Sequence, residues 1–201
     1  GPRGVIEARD GSFYGTTGSG GAYHSGTIFK LDPATGLTSL HSFHGNDGSY
    51  TDGFDALSGV IQATDGGFYG TTAAGGANGK GTIFKFTAGS GLRTVYAFRE
   101  GEGTGPGGLM EARDGNFFGT TRIGGASGVG TIFKFDLTSG LTTLHSFQGT
   151  EGTWPQSGVI EGDDGSLYGT TRFGGADNEG TIFKFHLTSG LTTLHSFQAT
   201  E

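Results

Sequence analysis

The polar residues that recur at fixed intervals are where chemistry in this chain must first be sought. Glu7, Gln62, Glu111 and Glu161 share one repeat position. If that position faces a common axis, the three carboxylates and the amide form a ring lining a channel. Such a ring could hold a cation, and crowding would raise the carboxylate pKa values. The simpler reading pairs each with a base or with channel water. Lys30, Lys85, Lys134 and Lys184 recur too and are the expected partners, at the end of a neighbouring strand.

The six histidines offer metal ligands or proton carriers. His41, His145 and His195 share a repeat position, so a repeated architecture sets them one per unit and apart. His41 and His44 are close in sequence, but two His without a third ligand make a weak zinc case. No metal and no cofactor is expected. Motifs for nucleophilic or metal hydrolysis are missing: there is no G-x-S-x-G elbow and no H-E-x-x-H helix. "ANGKGT" around Lys80 is superficially like the end of a Walker A loop. It lacks the first glycine, the Ser or Thr after the lysine, and a following helix to hold phosphate. "NDGSYTD" is too irregular for an EF-hand-like loop. Paired glycosidase carboxylates could hide among loop acids, but nothing singles out a pair.

Positions where the repeats differ point elsewhere. The connection "HGNDGSYTDGFDALSG" is about six residues longer than its next counterpart and carries Tyr50, Asp52, Phe54 and Asp55. A later connection carries the only Trp, Trp154, beside Pro155. Other loops offer Tyr23 and His24, then Arg122 and Arg172. Exposed aromatic faces stack on sugar rings while Asp, Asn and Arg fix hydroxyls, so Tyr23, His24, Tyr50, Phe54, Arg122, Trp154 and Arg172 are the candidate ligand-binding set, for a glycan or a peptide. The alternative role for Trp154 and Tyr50 is to plug the end of an interface between sheets.

The elements that position these residues follow from the repeat. GTIFK begins at Gly26, Gly81, Gly130 and Gly180, in steps of 55, 49 and 50. Asp-Gly, Gly-Thr-Thr, Gly-Gly and Gly-Leu landmarks keep the same steps. Residues 130–151 and 180–201 differ at only two places, Asp136 against His186 and Gly149 against Ala199. Each unit reads as four strands, A to D, of about five to eight residues between turn signals, with Asp-Gly joining A to B. No helical periodicity is sustained. Four antiparallel strands in about 50 residues is the grammar of a β-propeller blade, so the fold is predicted all-β with four blades, at about 4–43, 59–98, 108–147 and 158–197, in one repeat domain. Blades stack face to face. The pairs Ile28-Phe29, Ile83-Phe84, Ile132-Phe133 and Ile182-Phe183, with Leu40, Val95, Leu144 and Leu194, are the predicted core between blades. The glycines, 44 in all, fall at fixed repeat positions where tight turns or close backbones need them.

The unit DGxxYGTTxxGGxxxxGTIFK…GLTxLHSF resembles the GloVer-type (Gloeo/Verruco) bacterial tandem repeat over almost the whole chain, and its layout is similar to NHL-class propellers. The resemblance implies a propeller in a secreted or surface bacterial protein and carries over no catalytic residue. The chain departs from the pattern at Gln62, at Tyr96-Ala97 in place of His-Ser, and in the long first connection.

Composition sets the outer limits. The net charge is −7, so there is no basic excess for nucleic acid. No apolar run approaches the roughly 20 residues of a membrane span. With no Cys, a disulfide framework and a cysteine zinc site are excluded. The opening Gly1-Pro2 reads as a scar of tag removal, and no secretory signal pattern follows it. The chain begins at strand A and ends just past strand D, without a shared closing blade, which suggests a stretch taken from a longer array or an engineered repeat. Two chains joining into an eight-bladed ring is the favoured assembly, ahead of a four-bladed monomer and open head-to-tail stacking. The favoured function is a non-catalytic scaffold or interaction module. The alternative is a carbohydrate-binding or polysaccharide-cleaving propeller.

Overall fold

Each Asp-Gly pair closes a hairpin by the same local chemistry. In the first, Ala8 donates its N–H to the Ser12 carbonyl (2.8 Å) and Gly11 donates to the Ala8 carbonyl (2.9 Å). Gly11 is left-handed (φ 75°), and the Asp10 carboxylate accepts the Ser12 N–H (3.0 Å). A three-residue loop ending in a left-handed glycine twists the strands correctly for pairing. In the computed structural model, which describes residues 1–45 and 51–201, such hairpins generate four separate four-stranded antiparallel sheets and, among the described residues, no helix.

The chain divides into two compact units, 1–99 and 100–201, each holding two sheets. In the first unit, one blade is β1 (Pro2–Glu7), β2 (Phe13–Thr17), β3 (Thr27–Asp32) and β4 (Gly36–Ser42). The next is β5 (Ile61–Gln62), β6 (Phe68–Thr72), β7 (Thr82–Thr87) and β8 (Gly91–Ala97). In the second unit, β9 (Thr104–Glu111), β10 (Phe117–Ile123), β11 (Thr131–Asp136) and β12 (Gly140–Ser146) form the third blade. The fourth is β13 (Ile160–Glu161), β14 (Leu167–Thr171), β15 (Thr181–His186) and β16 (Gly190–Ser196). Strands follow chain order across every sheet, so the fourth strand is always an edge. These are β-propeller blades, four in the chain.

Within each unit the two blades meet face to face. Ala8, Tyr14, Ile28 and Phe43 of the first blade pack on Val60, Phe68, Phe84 and Phe86 of the second. Ala112, Phe118, Ile132 and Phe147 of the third pack on Val159, Leu167, Phe183 and Phe185 of the fourth. Each interface therefore joins the Ile of one Ile-Phe pair to the Phe of the next, because successive strand residues point to opposite faces. Tyr14 and Phe68 stack across the first interface with ring centroids 4.1 Å apart. Leu40 and Leu144 pack against these clusters as expected. Leu194 does not: it is 52 % exposed, since the face of the fourth blade that carries it is open.

Two first strands, β5 and β13, are only two residues long, shorter than expected. The chain ahead of them serves the preceding blade instead. Thr16 Oγ1 donates to the Ser58 carbonyl (2.6 Å) and Thr120 Oγ1 to the Ser157 carbonyl (2.7 Å). Those carbonyls are spent on a neighbour, so the ladder within their own sheet is correspondingly short.

Every third-to-fourth strand pairing carries a bulge, in the first blade between Ile28 and Phe29. Partners there are Ile28 with His41 and Phe29 with Ser39. The extra residue turns His41 onto the Ile28 side of the sheet, toward the second blade, and so aims the histidines at the connections between blades.

Candidate functional site

The connection from β4 to β5 is clamped at several points by its two flanking blades. Phe43 donates its N–H to the Gly26 carbonyl (3.0 Å) and fixes the exit from β4. Farther on, Asp52 is buried. Its carboxylate meets His41 Nε2 (2.9 Å) and His44 Nδ1 (3.0 Å) and accepts the His44 backbone N–H (3.2 Å). Its carbonyl accepts from Thr82 Oγ1 of the second blade (3.4 Å). Gly53 follows in the left-handed region (φ 79°), and a Cβ there would collide with Thr72. Phe54 pairs with Ala74 as a backbone bridge, and Asp55 donates its N–H to the Ser25 carbonyl (3.3 Å).

The connection from β12 to β13 repeats this scheme. Glu151 takes the acid's place, meeting His145 Nε2 (2.9 Å) and the Gln148 backbone N–H (3.0 Å), while its carbonyl accepts from Thr181 Oγ1 (2.8 Å). Gly152 is left-handed (φ 123°), Thr153 bridges to Phe173, and Trp154 donates its N–H to the Val129 carbonyl (3.0 Å). After β16, His195 Nε2 meets Glu201 (3.0 Å) in the same way. The recurring histidines are thus clasps on a carboxylate six residues ahead, at 145/151 and 195/201, and eleven ahead at 41/52. The six-residue spacing at 145/151 and 195/201 is the signal in the sequence; the first connection, with its longer step, carries none. Burial pushes the Asp52 pKa up, but the donors from His41 and His44 outweigh it and hold it below the usual range.

The candidate ligand residues gather into two groups, one in each unit. In the first unit the Tyr23 ring lies 4.2 Å from the His44 ring and is 39 % exposed. His24, beside it, is exposed and left-handed (φ 59°). Phe54 is half-buried with its ring against Gly45. Tyr50 lies outside the described residues. In the second unit the Arg122 guanidinium sits 5.8 Å from the ring of Trp154, which is 38 % exposed and meets Phe173 edge-on at 5.8 Å. Arg172 lies over Phe173 at 4.9 Å rather than over Trp154. The Arg122 Nε is buried without a hydrogen-bond partner among the described residues. Phe173, which completes this row, had not been singled out in the sequence.

Two of the four strand-A residues reach back along the chain. Gln62 Oε1 accepts the Arg9 N–H (2.9 Å) and Glu161 the Arg113 N–H (3.0 Å), each reaching back to the hairpin of the preceding blade. Glu7 is exposed and Glu111 half-buried. The expected lysine partners lie elsewhere. Lys30 binds Asp10 (3.0 Å), Lys85 binds Asp65 (2.7 Å) and Lys184 binds Asp164 (2.6 Å). Tyr14, Tyr69 and Tyr168 donate their hydroxyls to the same three aspartates. The reason is reach: the third strand brings each lysine over the A–B turn, where the Asp sits. The constant 20-residue step from Asp to Lys is the sequence signal for it. The Lys30 hydrogen bond and the Ser12 N–H lower the Asp10 pKa to about 2.

Solved structures resemble the fold. The extracellular domain of a candidate one-component system of B. thetaiotaomicron superposes with TM-score 0.63 at 12% identity, over 96% of this chain and 25% of its own. A candidate 6-phosphogluconolactonase of Bacteroides fragilis gives 0.55 at 21%, over 96% and 53%. An α-L-arabinofuranosidase of Clostridium thermocellum gives 0.54 at 14%, over 96% and 71%. The chain therefore spans a quarter of the first of these proteins and about half of the second. Identities this low show a shared propeller fold alone. No curated protein sequence matches the chain. Across all of residues 1–201 the sequence matches the Gloeobacter/Verrucomicrobia repeat, and the chain belongs to that family.

Proposed function

We propose that this chain is a non-catalytic propeller module that assembles with a second copy of itself into an eight-bladed ring and serves as an interaction scaffold of a secreted or surface bacterial protein. One observation carries the assembly. Both terminal blades leave open a face whose repeat-equivalents elsewhere are buried. On the first blade Val5 is 57 % exposed, whereas Val60 and Val159 are buried. Phe29 is half-buried, while Phe84, Phe133 and Phe183 are fully covered. On the fourth blade the opposite face is open. Ile160 is 68 % exposed, Thr170 is exposed, and Ile182 is half-buried where Ile28, Ile83 and Ile132 are fully covered. A hollow of about 440 Å³ between Pro2, Phe29 and Leu37, and one of about 330 Å³ between Ile160, Tyr168 and Ile182, mark the two faces. These are the two halves of the interface that each unit buries internally, so a second copy supplies what each lacks.

The non-catalytic reading rests on how the recurring acids are used. A glycosidase needs one carboxyl still protonated near neutrality. The recurring Asp10, Asp65 and Asp164, and Asp52 of the first connection, are all held below the usual carboxylate range by their hydrogen-bond partners. The similarity to an extracellular domain supports a surface or secreted setting.

Light scattering tests the assembly. A mass of twice 20.5 kDa is expected, falling to 20.5 kDa with Val5→Glu or with Ile160→Glu. A wild-type chain at 20.5 kDa would sink the reading. The second reading, carbohydrate binding, is favoured by the Arg122–Trp154–Phe173 row with its unpartnered Arg122 Nε. A glycan array should then show binding that Trp154→Ala abolishes. An array blank for the wild type removes that reading.

A further inference from the structure

Of the clasps between histidine and acid, the first has a ligand the others lack. Where Gln148 and Gln198 follow β12 and β16, His44 follows β4. The clasp itself needs only the backbone N–H at this position, which Gln148 and Gln198 supply equally to Glu151 and Glu201. The imidazole of His44 is therefore an additional group on Asp52, with no counterpart in the other two clasps. Its Nδ1, His41 Nε2 and an Asp52 carboxylate oxygen all lie within 4.8 Å of one another, the one such group of three or more ligands among the described residues.

We propose that His41, His44 and Asp52 form a binding site for a divalent late transition metal, of which zinc has the best-matched chemistry. Two imidazole nitrogens and one carboxylate oxygen are ligands of the kind that zinc takes in tetrahedral sites, with a fourth position left for water. Ligand atoms about 2.0–2.1 Å from zinc stand about 3.3 Å apart at the corners of a tetrahedron. The two separations to Asp52, 2.9 Å and 3.0 Å, need to open by only a few tenths of an ångström, and the two imidazole nitrogens lie within 4.8 Å of each other. A cation would replace two N–H donors that now crowd onto one oxygen, Asp52 Oδ2.

The ligands are held before any metal arrives. His41 is fixed by the strand and its bulge, and its ring stands edge-on to Phe43 at 5.4 Å. The His44 ring is covered on one side by Tyr23. Asp52 is tied to the next blade through Thr82. Such outer contacts orient imidazoles and raise metal affinity. The side chains are 19 %, 37 % and 10 % exposed for His41, His44 and Asp52, so access is from the His44 side. Bound there, the metal would staple the end of β4 to the long connection and leave one coordination position beside Tyr23.

The test is titration of the full chain with zinc chloride by calorimetry, beside cobalt(II) followed by visible absorption. One zinc per chain at micromolar or tighter affinity is expected, with the intense cobalt band of a tetrahedral site. His44→Gln, which installs the residue of the third blade, should weaken zinc about a hundredfold, at least what loss of a supporting group costs. Without metal its melting point should fall only modestly, by the loss of one hydrogen bond to Asp52, because the backbone N–H and His41 remain. His195→Gln should bind as the wild type does. Imidazole 15N shifts read the site directly in the unmutated chain: zinc should move His41 and His44 and leave His145 and His195. No zinc uptake by the wild type, equal affinity in His44→Gln, or shifts confined to other histidines would each overturn the site.

Discussion

The connections leaving β4 and β12 perform one mechanical task with different residues. Both fold a carboxylate back onto a histidine of the preceding strand, both pass through a left-handed glycine against a threonine, and both offer a carbonyl to the next blade. They differ in the side chains left over. The first has His44 and Tyr23 at its edge; the second has Trp154 with Arg122. The framework is redundant across repeats, so variation at the edge costs little stability and is free to specify ligands.

Mutation can break this comparison or sharpen it. The largest effect should come from the shared anchor. Phe43→Ala and Phe147→Ala each empty a fully buried ring site and should cost about 3–5 kcal/mol in denaturant unfolding. A markedly smaller loss at one of them would show that the connections are not equivalent. Gly53→Ala and Gly152→Ala strain a left-handed position and press on Thr72 and Thr171, for about 2–3 kcal/mol each in the same assay. Gln148→His should then confer on the second connection a zinc affinity at least about tenfold above its wild-type value, read by calorimetry. No gain would show that the longer first connection, and not the residue types, makes the site.

Acid unfolding compares the hairpins instead. The folded Asp10 pKa, near 2, lies below its unfolded value of about 3.9, so its clasp stabilises the fold above pH 4 and that contribution is lost as pH falls through the folded pKa. Lys30→Met should flatten the fall in stability between about pH 4 and 2, followed by circular dichroism. The smallest effect is at the third blade, where Phe118 replaces the tyrosine that elsewhere donates to the turn Asp. Phe118→Tyr should restore that bond to Asp114 and gain about 0.5–1 kcal/mol.

Much of the blade could be read in the residues. Asp-Gly, Gly-Thr-Thr and GTIFK are local signals, and antiparallel hairpins form between neighbours in sequence, so four strands per unit and their order followed directly. The short β5 and β13 did not, because the carbonyls of Ser58 and Ser157 go to another blade. Nor did the lysine partners: sequence placed the lysines at a strand end but not which carboxylate that end overlies. His41 and His44 were visible as a pair, whereas Asp52, across a connection of variable length, was not.

The division has one physical cause. Periodicity and turn chemistry act over a few residues, and the sequence alone therefore settled the repeat, the all-β blade and the family. Burial and ligand geometry depend on what the chain brings alongside from afar. Phe29 and Phe84 are the same residue at the same repeat position, yet one is half-buried and the other fully covered. Only the tertiary structure decided that, and only it set Asp52 beside two histidines.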